Sequence, residues 1–309
     1  MDATPSVALP LDAEDGIPQD PPAPTRIGPT DFVWGSRTFL MGVINVTPDS
    51  FSGDGLLAGS RPAGGLPEAA VAQARRMVQE GADVLDVGGE STRPGHASVT
   101  DEEELERIVP VLTALRDALP AVPLSVDTTK GRVAQAALDA GAHLINDIWG
   151  VGEGGDLVRL AAERRVPLVV MHNRREPRYR NLLAEVIADL SRALDRALAA
   201  GVAWDNLIVD PGVGFGKTAE QNLHLLRELS ALTILGRPIL LGTSRKSTIG
   251  KVLDLPVEQR LEGTLATTAL GIAAGVDMVR VHDVEPNRRA ARMSDAIVRG
   301  GWSEPGSGG

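Results

Sequence analysis

The feature that most constrains this chain is an alternation. Short apolar runs of strand length are followed, again and again, by Ala- and Leu-rich stretches with helical spacing. Eight strands are expected, over Thr38–Asn45, Val84–Val87, Leu124–Asp127, Leu144–Asp147, Leu168–Met171, Leu207–Asp210, Ile239–Gly242 and Met278–Val281. Helical stretches fill the gaps, among them Pro67–Glu80, Glu102–Leu119, Leu182–Ala200 and Arg260–Ala274. Four of these stretches end on the same punctuation, Gly81-Ala82, Gly141-Ala142, Gly201-Val202 and Gly275-Val276. A glycine just past a helix accepts the left-handed conformation and stops it. Eight βα units in a chain of this length predict an α/β fold, a (β/α)8 TIM barrel forming a single domain. An open doubly wound sheet has the same periodicity, so closure is an expectation the pattern does not itself carry.

Composition supports this. Hydrophobic residues make up 43% and aromatics only 3%, so the core must be Val, Ile, Leu and Ala, the residues of parallel strands buried on both faces. Residues 1–31 stand apart, with seven prolines, six acids and the single basic Arg26, and read as a disordered acidic leader. The catalytic domain is then expected over 32–302, with a loose tail at 303–309. A net charge of −10 argues against nucleic-acid binding, which needs a basic footprint. The absence of cysteine excludes disulfides, thiolate catalysis and Cys-ligated metals. No apolar run reaches the length of a membrane span, and the N-terminus lacks the basic-then-apolar order of a signal peptide. A soluble cytoplasmic protein is the expectation.

The strand ends are where chemistry is expected. In order they read Asn45-Val46-Thr47-Pro48-Asp49-Ser50, Gly88-Gly89-Glu90-Ser91-Thr92-Arg93-Pro94-Gly95, Asp127-Thr128-Thr129-Lys130, Asn146-Asp147, His172-Asn173, Asp210-Pro211-Gly212, Ser244-Arg245-Lys246-Ser247 and Arg280-Val281-His282-Asp283. In a barrel these ends meet at one mouth, where barrel active sites sit. Helix capping is a sufficient reading of Asp49, Thr129 or Asp283 taken alone. It does not explain Asn45, Asp127, Asn146 and Asp210 as terminal strand residues, nor Arg and His there, because burying such groups unpaired is costly.

The cations Arg93, Arg245, Lys246, Arg280 and His282, with helix N-termini behind them, suit a phosphate or diphosphate. The carboxylates Asp127 and Asp210 with the amide of Asn146 suit the edge of a nitrogen heterocycle. Gly212-Val213-Gly214-Phe215-Gly216-Lys217-Thr218 looks like a phosphate loop, but the position where G-x-x-x-x-G-K-[ST] requires its first glycine is Pro211. No G-x-S-x-G elbow and no H-E-x-x-H pair occurs, against a serine hydrolase and a histidine-bound zinc site.

At these residues the chain resembles the dihydropteroate synthase family of folate biosynthesis. The resemblance lies in Met41–Ser52, Asp86–Gly95, Ser125–Thr128, Asn146-Asp147, Asp210-Pro211-Gly212 with Gly214–Lys217, Ser244-Arg245-Lys246 and Arg280–Val284, in that order, across all eight units. It implies a transferase joining 4-aminobenzoate to (7,8-dihydropterin-6-yl)methyl diphosphate, releasing pyrophosphate and 7,8-dihydropteroate. It further implies that Asp127, Asn146, Asp210 and Lys246 hold the pterin, with Asp127, Lys246 and Asp210 the catalytic set. Thr92, Arg93, Arg280 and His282 would lie along the diphosphate, with Asn45 on Mg2+, and Phe215, Ser247 and Pro94 would line the aminobenzoate pocket. A homodimer is also implied.

Departures are visible. Asp54 stands one position beyond the family's usual aspartate, Leu57–Gly65 is a Gly-rich insert suited to a lid, and the fifth strand ends Met171-His172-Asn173 where a second Met is common. Two other readings share the pterin floor: a pterin-binding paralogue without turnover, and the pterin domain of a corrinoid methyltransferase. His172, Asn173 and the basic segment Arg174–Arg180 receive no role from the sequence.

Overall fold

The computed structural model describes residues 21–47, 65–90, 99–150, 155–300 and 302. The expectations placed on the leader before residue 21, Asp49, Asp54, most of Leu57–Gly65, Thr92, Arg93, Pro94 and the 303–309 tail lie outside the described residues. No helix among the described residues is long and apolar enough to cross a membrane.

Ten strands are described. β1 (Thr25–Ile27) and β2 (Thr30–Phe32) form a small antiparallel hairpin. β3 (Phe39–Asn45), β4 (Val84–Gly88), β5 (Leu124–Asp127), β6 (Leu144–Asp147), β7 (Leu168–Met171), β8 (Leu207–Asp210), β9 (Leu240–Leu241) and β10 (Met278–Val281) form one parallel sheet in the order β8-β7-β6-β5-β4-β3-β10-β9. The remaining seam, between β8 and β9, closes through the parallel bridge Val209↔Ile239 and the bond from Val209 N–H to the Pro238 carbonyl at 2.9 Å. The eight expected strands all form. The seventh is shorter than expected, two residues where four are read from the sequence.

Helices α1 (Leu66–Glu80), α2 (Asp101–Ala118), α3 (Gly131–Ala140), α4 (Asp156–Arg164), α5 (Leu182–Ala199), α6 (Ala219–Arg227), α7 (Ser247–Leu253), α8 (Leu261–Ala273) and α9 (Val284–Val298) lie outside the strands. Gly81, Gly141, Gly201 and Gly275 all take positive φ, from 93° to 117°, as the punctuation requires.

The period of two along each strand divides the core. Leu40 and Ile44, Leu85 and Val87, Leu124 and Val126, Leu168 and Val170, Leu207 and Val209, and Val279 and Val281 belong to the apolar layer shared with the helices. Their alternates Phe39, Met41, Val84, Leu144, Val169, Ile208, Leu240 and Met278 form a separate cluster, completed by Ile27, Phe32 and Trp34. That second cluster fills the lower half of the barrel, and the hairpin is its plug.

The hairpin corrects the expected leader. Residues 25–31 are not loose: Ile27 and Phe32 are fully buried, and Trp34 is 2% exposed. Trp34 Nε1 donates to Thr25 Oγ1 at 2.9 Å, and Thr25 Oγ1 donates to the Asp205 carbonyl at 2.6 Å. The acidic, proline-rich composition hides Ile27 and, just past it, Phe32, one at the end of each hairpin strand, and both join the apolar cluster at the open end of the barrel. Trp34→Ala is expected to lower unfolding free energy by roughly 3–5 kcal/mol, measurable as a reduced midpoint in urea denaturation.

Candidate active site

The same period decides what the upper half of the barrel contains. Two residues beyond an inward apolar side chain, each strand again points inward. The positions reached are Asp86 beyond Val84, Asn146 beyond Leu144, Asp210 beyond Ile208 and Arg280 beyond Met278. Asp127 and Ser125 stand on the same face of β5, and all of these except Arg280 are buried.

They form one connected group. Arg280 Nε donates to Asp86 Oδ2 at 2.6 Å, and Arg280 Nη2 donates to Asp127 Oδ2 at 2.7 Å. Asn146 Nδ2 donates to the same Asp86 oxygen at 3.0 Å. The second oxygens, Asp86 Oδ1 and Asp127 Oδ1, and the Ser125 hydroxyl are buried without a hydrogen-bond partner. Unmet acceptors in such a place call for donors from elsewhere. Arg280 is expected at the diphosphate rim, and the structure places two of its donors lower, between the carboxylates. The guanidinium is too strongly paired there to be only a rim residue.

Charge balance at this floor is set by burial. Burial pushes Asp127 up to about 7, against the pull of Arg280, while the Asp86 charge adds to the rise. Burial also pushes Asp210 up to about 6, and the Gly212 N–H, which donates to Asp210 Oδ1 at 2.6 Å, opposes it. Lys246 is drawn down to about 8 by burial and by Arg280. Burial also works against the charge of Arg280, but Asp86 and Asp127 outweigh it and hold the guanidinium above its usual range.

Around the floor the other expected residues take their places. The Lys246 ammonium sits 3.9 Å from the centre of the Phe215 ring, a cation–π contact that joins the pterin and aminobenzoate assignments. Ser247 opens α7 and is exposed. His282 Nδ1 lies 2.9 Å from Ser244 Oγ, which also accepts the His282 backbone N–H. Asn45 ends β3 beside Gly88 and is half-buried. Arg245, expected as rim charge, instead forks onto Asp283 through Nε at 3.1 Å and Nη2 at 2.8 Å. Its φ of 57° turns the chain so that Lys246 faces the mouth while Arg245 faces Asp283. Asp283 makes no side-chain cap, and Lys130 rather than Thr129 precedes α3, so neither expected cap forms.

Among the described residues no group of three His, Asp or Glu is arranged to hold a metal. Asn45 offers one neutral oxygen. A hard cation that keeps its waters and binds mainly through substrate phosphates needs few protein ligands, so the donor type fits magnesium.

Three groups escaped the sequence reading. Asp86 lies mid-strand between Leu85 and Val87, where the sequence marks it only as part of a motif. A charge inside a fully buried parallel strand was the signal for it. Lys130, 2.6 Å from both Glu90 and Glu104, joins the chain just past β4 to α2. Lys217, in the loop that imitates a phosphate loop, turns inward to the Gly212 and Phe215 carbonyls, at 2.9 and 3.1 Å, and to His172 Nδ1 at 2.9 Å. Thr218 beside it caps α6 in a capping box with Gln221.

A closed parallel barrel with a buried, partly unsatisfied acid–amide–guanidinium floor and an adjoining lysine–aromatic pair defines an enzyme that binds a nitrogen heterocycle at its C-terminal mouth. Residues 41–282 match the model of the pterin binding enzyme family. The dihydropteroate synthase of Clostridium beijerinckii is 49% identical over 89% of this chain and 99% of its own length. Two solved structures align closely. A dihydropteroate synthase from Clostridium difficile in the presence of pteroic acid has a TM-score of 0.81 and 46% identity over 87% of this chain and 99% of its own. The Xanthomonas albilineans enzyme with 4-aminobenzoic acid has a TM-score of 0.79 and 42% identity, over 85% and 94%. The chain belongs to the dihydropteroate synthase family of pterin binding enzymes.

One buried acid stands beside this floor. Asp147 is 3% exposed, accepts the Trp149 N–H at 3.0 Å, and is pushed up to about 7 by burial. A carboxyl raised on folding supports stability at low pH and loses that support as pH rises through its folded value. Asp147→Asn keeps the acceptor and removes the charge. It is expected to raise Tm at pH 8 and to change it little at pH 4, with each kcal/mol regained worth about 2–4 °C. Differential scanning fluorimetry at the two pH values checks this.

Proposed function

We propose that this barrel condenses 4-aminobenzoate with (7,8-dihydropterin-6-yl)methyl diphosphate to give 7,8-dihydropteroate and pyrophosphate. The observation that carries the reading is the floor itself: Asp127, Asn146 and Asp210 point into the barrel beside Arg280. A ring edge that offers N–H donors answers the unpaired Asp127 oxygen and the Asp210 carboxylate, while Asn146, turned by Asp86, presents its carbonyl or its remaining N–H. Relatives crystallised with pteroic acid and with 4-aminobenzoic acid support both halves of the ligand.

In the reaction the C–O bond from the pterin methylene to the diphosphate breaks, a C–N bond to the arylamine forms, and one amine proton leaves. Positive charge gathers on the pterin methylene as the diphosphate departs. An ionised Asp127 would stabilise that charge, and Asp210 and Lys246 would fix the ring. The arylamine is already nucleophilic, so position matters more than a strong base. Phe215 and Ser247, with Pro94, would flank the amine. His282, with Thr92 and Arg93, would receive the leaving diphosphate. Arg280 would reach toward it from between the carboxylates. Magnesium held at Asn45 would offset the negative charge of the diphosphate.

The chain is expected to act as a homodimer in the cytoplasm. Support for a second copy comes from the neighbouring helices α8 and α9, which leave Leu270, Met293 and Ile297 63–71% exposed. Cytoplasmic placement rests on the small soluble substrates and on a chain without cysteine.

With both substrates and Mg2+ present, pyrophosphate release and dihydropteroate formation are expected. Binding of the pterin diphosphate without release would favour the silent paralogue. The activity should need Asp127 ionised and Lys246 charged. So kcat/KM for the pterin diphosphate should rise as pH passes about 7 and fall beyond about 8. Asp127→Asn should lose about 10²-fold or more in kcat, with the acid limb moving to about 6, the value of Asp210. Normal turnover in Asp127→Asn beside a dead Asp210→Asn would show the charge role to be misassigned. For the assembly, Leu270→Glu combined with Ile297→Glu should yield monomers in sedimentation velocity.

A further inference from the structure

The exits of β7 and β8 are joined by a feature that the condensation reaction does not itself require. The loop Gly212–Lys217 lies against His172–Arg174 with no space between. A Cβ on Gly212 would stand 1.8 Å from the His172 carbonyl oxygen, and one on Gly216 would stand 2.2 Å from that of Arg174, both at positive φ. Tyr179 donates its hydroxyl to the Gly216 carbonyl at 2.8 Å.

Lys217 is at the centre of this seam. Burial draws the Lys217 ammonium down to about 7. In its charged form it has three protons to donate, and three acceptors lie within 3.1 Å: Gly212 O at 2.9 Å, Phe215 O at 3.1 Å and His172 Nδ1 at 2.9 Å, with the His172 carbonyl farther off at 3.5 Å. Accepting at Nδ1 places the imidazole proton on Nε2, which lies 3.2 Å from Asp189 Oδ2. Arg174 holds the same carboxylate oxygen through Nε at 2.8 Å and reaches Glu185 through Nη1 at 2.7 Å. The chain of contacts therefore runs from α5, through a neutral histidine, to the backbone of Phe215. On its other side the Phe215 ring carries Lys246.

We propose that Lys217 is a positioning residue for the arylamine side of the active site, clamped by His172 and Asp189, and that it sets where Phe215 stands. The false phosphate loop is thus a lysine-filled turn that grips its own carbonyls. His172, which the sequence leaves without a role, is the acceptor that orients the clamp. Burial holds its imidazole neutral, in keeping with that role. The assignment of Phe215 to the arylamine rests on the function proposed above, and the test separates the two.

In the full chain, Lys217→Met keeps the stem and removes the ammonium. KM for 4-aminobenzoate should rise about 10-fold or more, while KM for the pterin diphosphate stays within about twofold. His172→Phe should give the same split. The double variant should be no worse than the worse single, since both remove one clamp. An unchanged KM for 4-aminobenzoate, an equal rise for both substrates, or additive losses would overturn the proposal.

A second measurement needs no variant. Nitrogen NMR of the wild-type chain should show His172 protonated at Nε2 alone at pH 6, where Lys217 is charged, with no titration above pH 5. A proton on Nδ1, or ordinary titration near 6.5, would equally overturn the clamp. If the wild-type chain releases no pyrophosphate, the proposed reaction fails while the NMR result still judges the clamp.

Discussion

The site depends on one guanidinium. Arg280 enters the barrel from β10 and bonds carboxylates delivered by β4 and β5, so three strands of the closed sheet are tied together above the apolar plug. Neither Asp86 nor Asp127 would be tolerable at that depth alone, because an unpaired buried charge is strongly destabilising. Arg280 between them gives each carboxylate a charged hydrogen-bond partner. Asp86 also accepts from Asn146, which fixes that amide. A pair of buried carboxylate oxygens, Asp86 Oδ1 and Asp127 Oδ1, is left over with no partner, which a fully satisfied buried salt bridge would not have.

The two ends of the barrel are built from the same register and opposite chemistry. Below, Phe39, Met41, Val84 and Met278 meet the hairpin residues Ile27, Phe32 and Trp34 and exclude water. Above, one pleat further along β4 and β10, Asp86 and Arg280 face the same axis. The plug lets the upper polar layer sit over a dry, rigid base, so its electrostatics are set by protein groups more than by water. Burial then moves Asp127, Asp210 and Lys246 toward neutrality, where a change of ligand or pH matters most.

Much of this was legible in the chain. The strand–helix alternation marks eight strands, and their polar C-terminal ends present Asp127, Asn146, Asp210 and Lys246. What the sequence leaves open is which partners its side chains take. Arg245 and Arg280 look alike as cations at strand ends, yet one is committed to Asp283 and the other to the floor. Residues 25–32 look like more of an acidic leader, because two apolar positions in a hairpin are a weak local signal. Asp86 stood in plain view but mid-strand, where a terminal-residue search does not look. Lys217 belongs in the sequence to a failed phosphate-loop pattern and to a resembling motif, and neither says where its side chain turns.

The sequence by itself determined the class of fold and the kinds of group at the mouth, because hydrophobic period and residue type are local properties. The tertiary structure decided which of those groups meet. Closure of the barrel brings Asp86, Asp127 and Arg280, separated along the chain by up to 194 positions, within hydrogen-bond distance. It presses Gly212 onto His172 so that Lys217 finds three acceptors. Pairing between distant strands depends on packing and register across the whole sheet, and no stretch of local sequence encodes it.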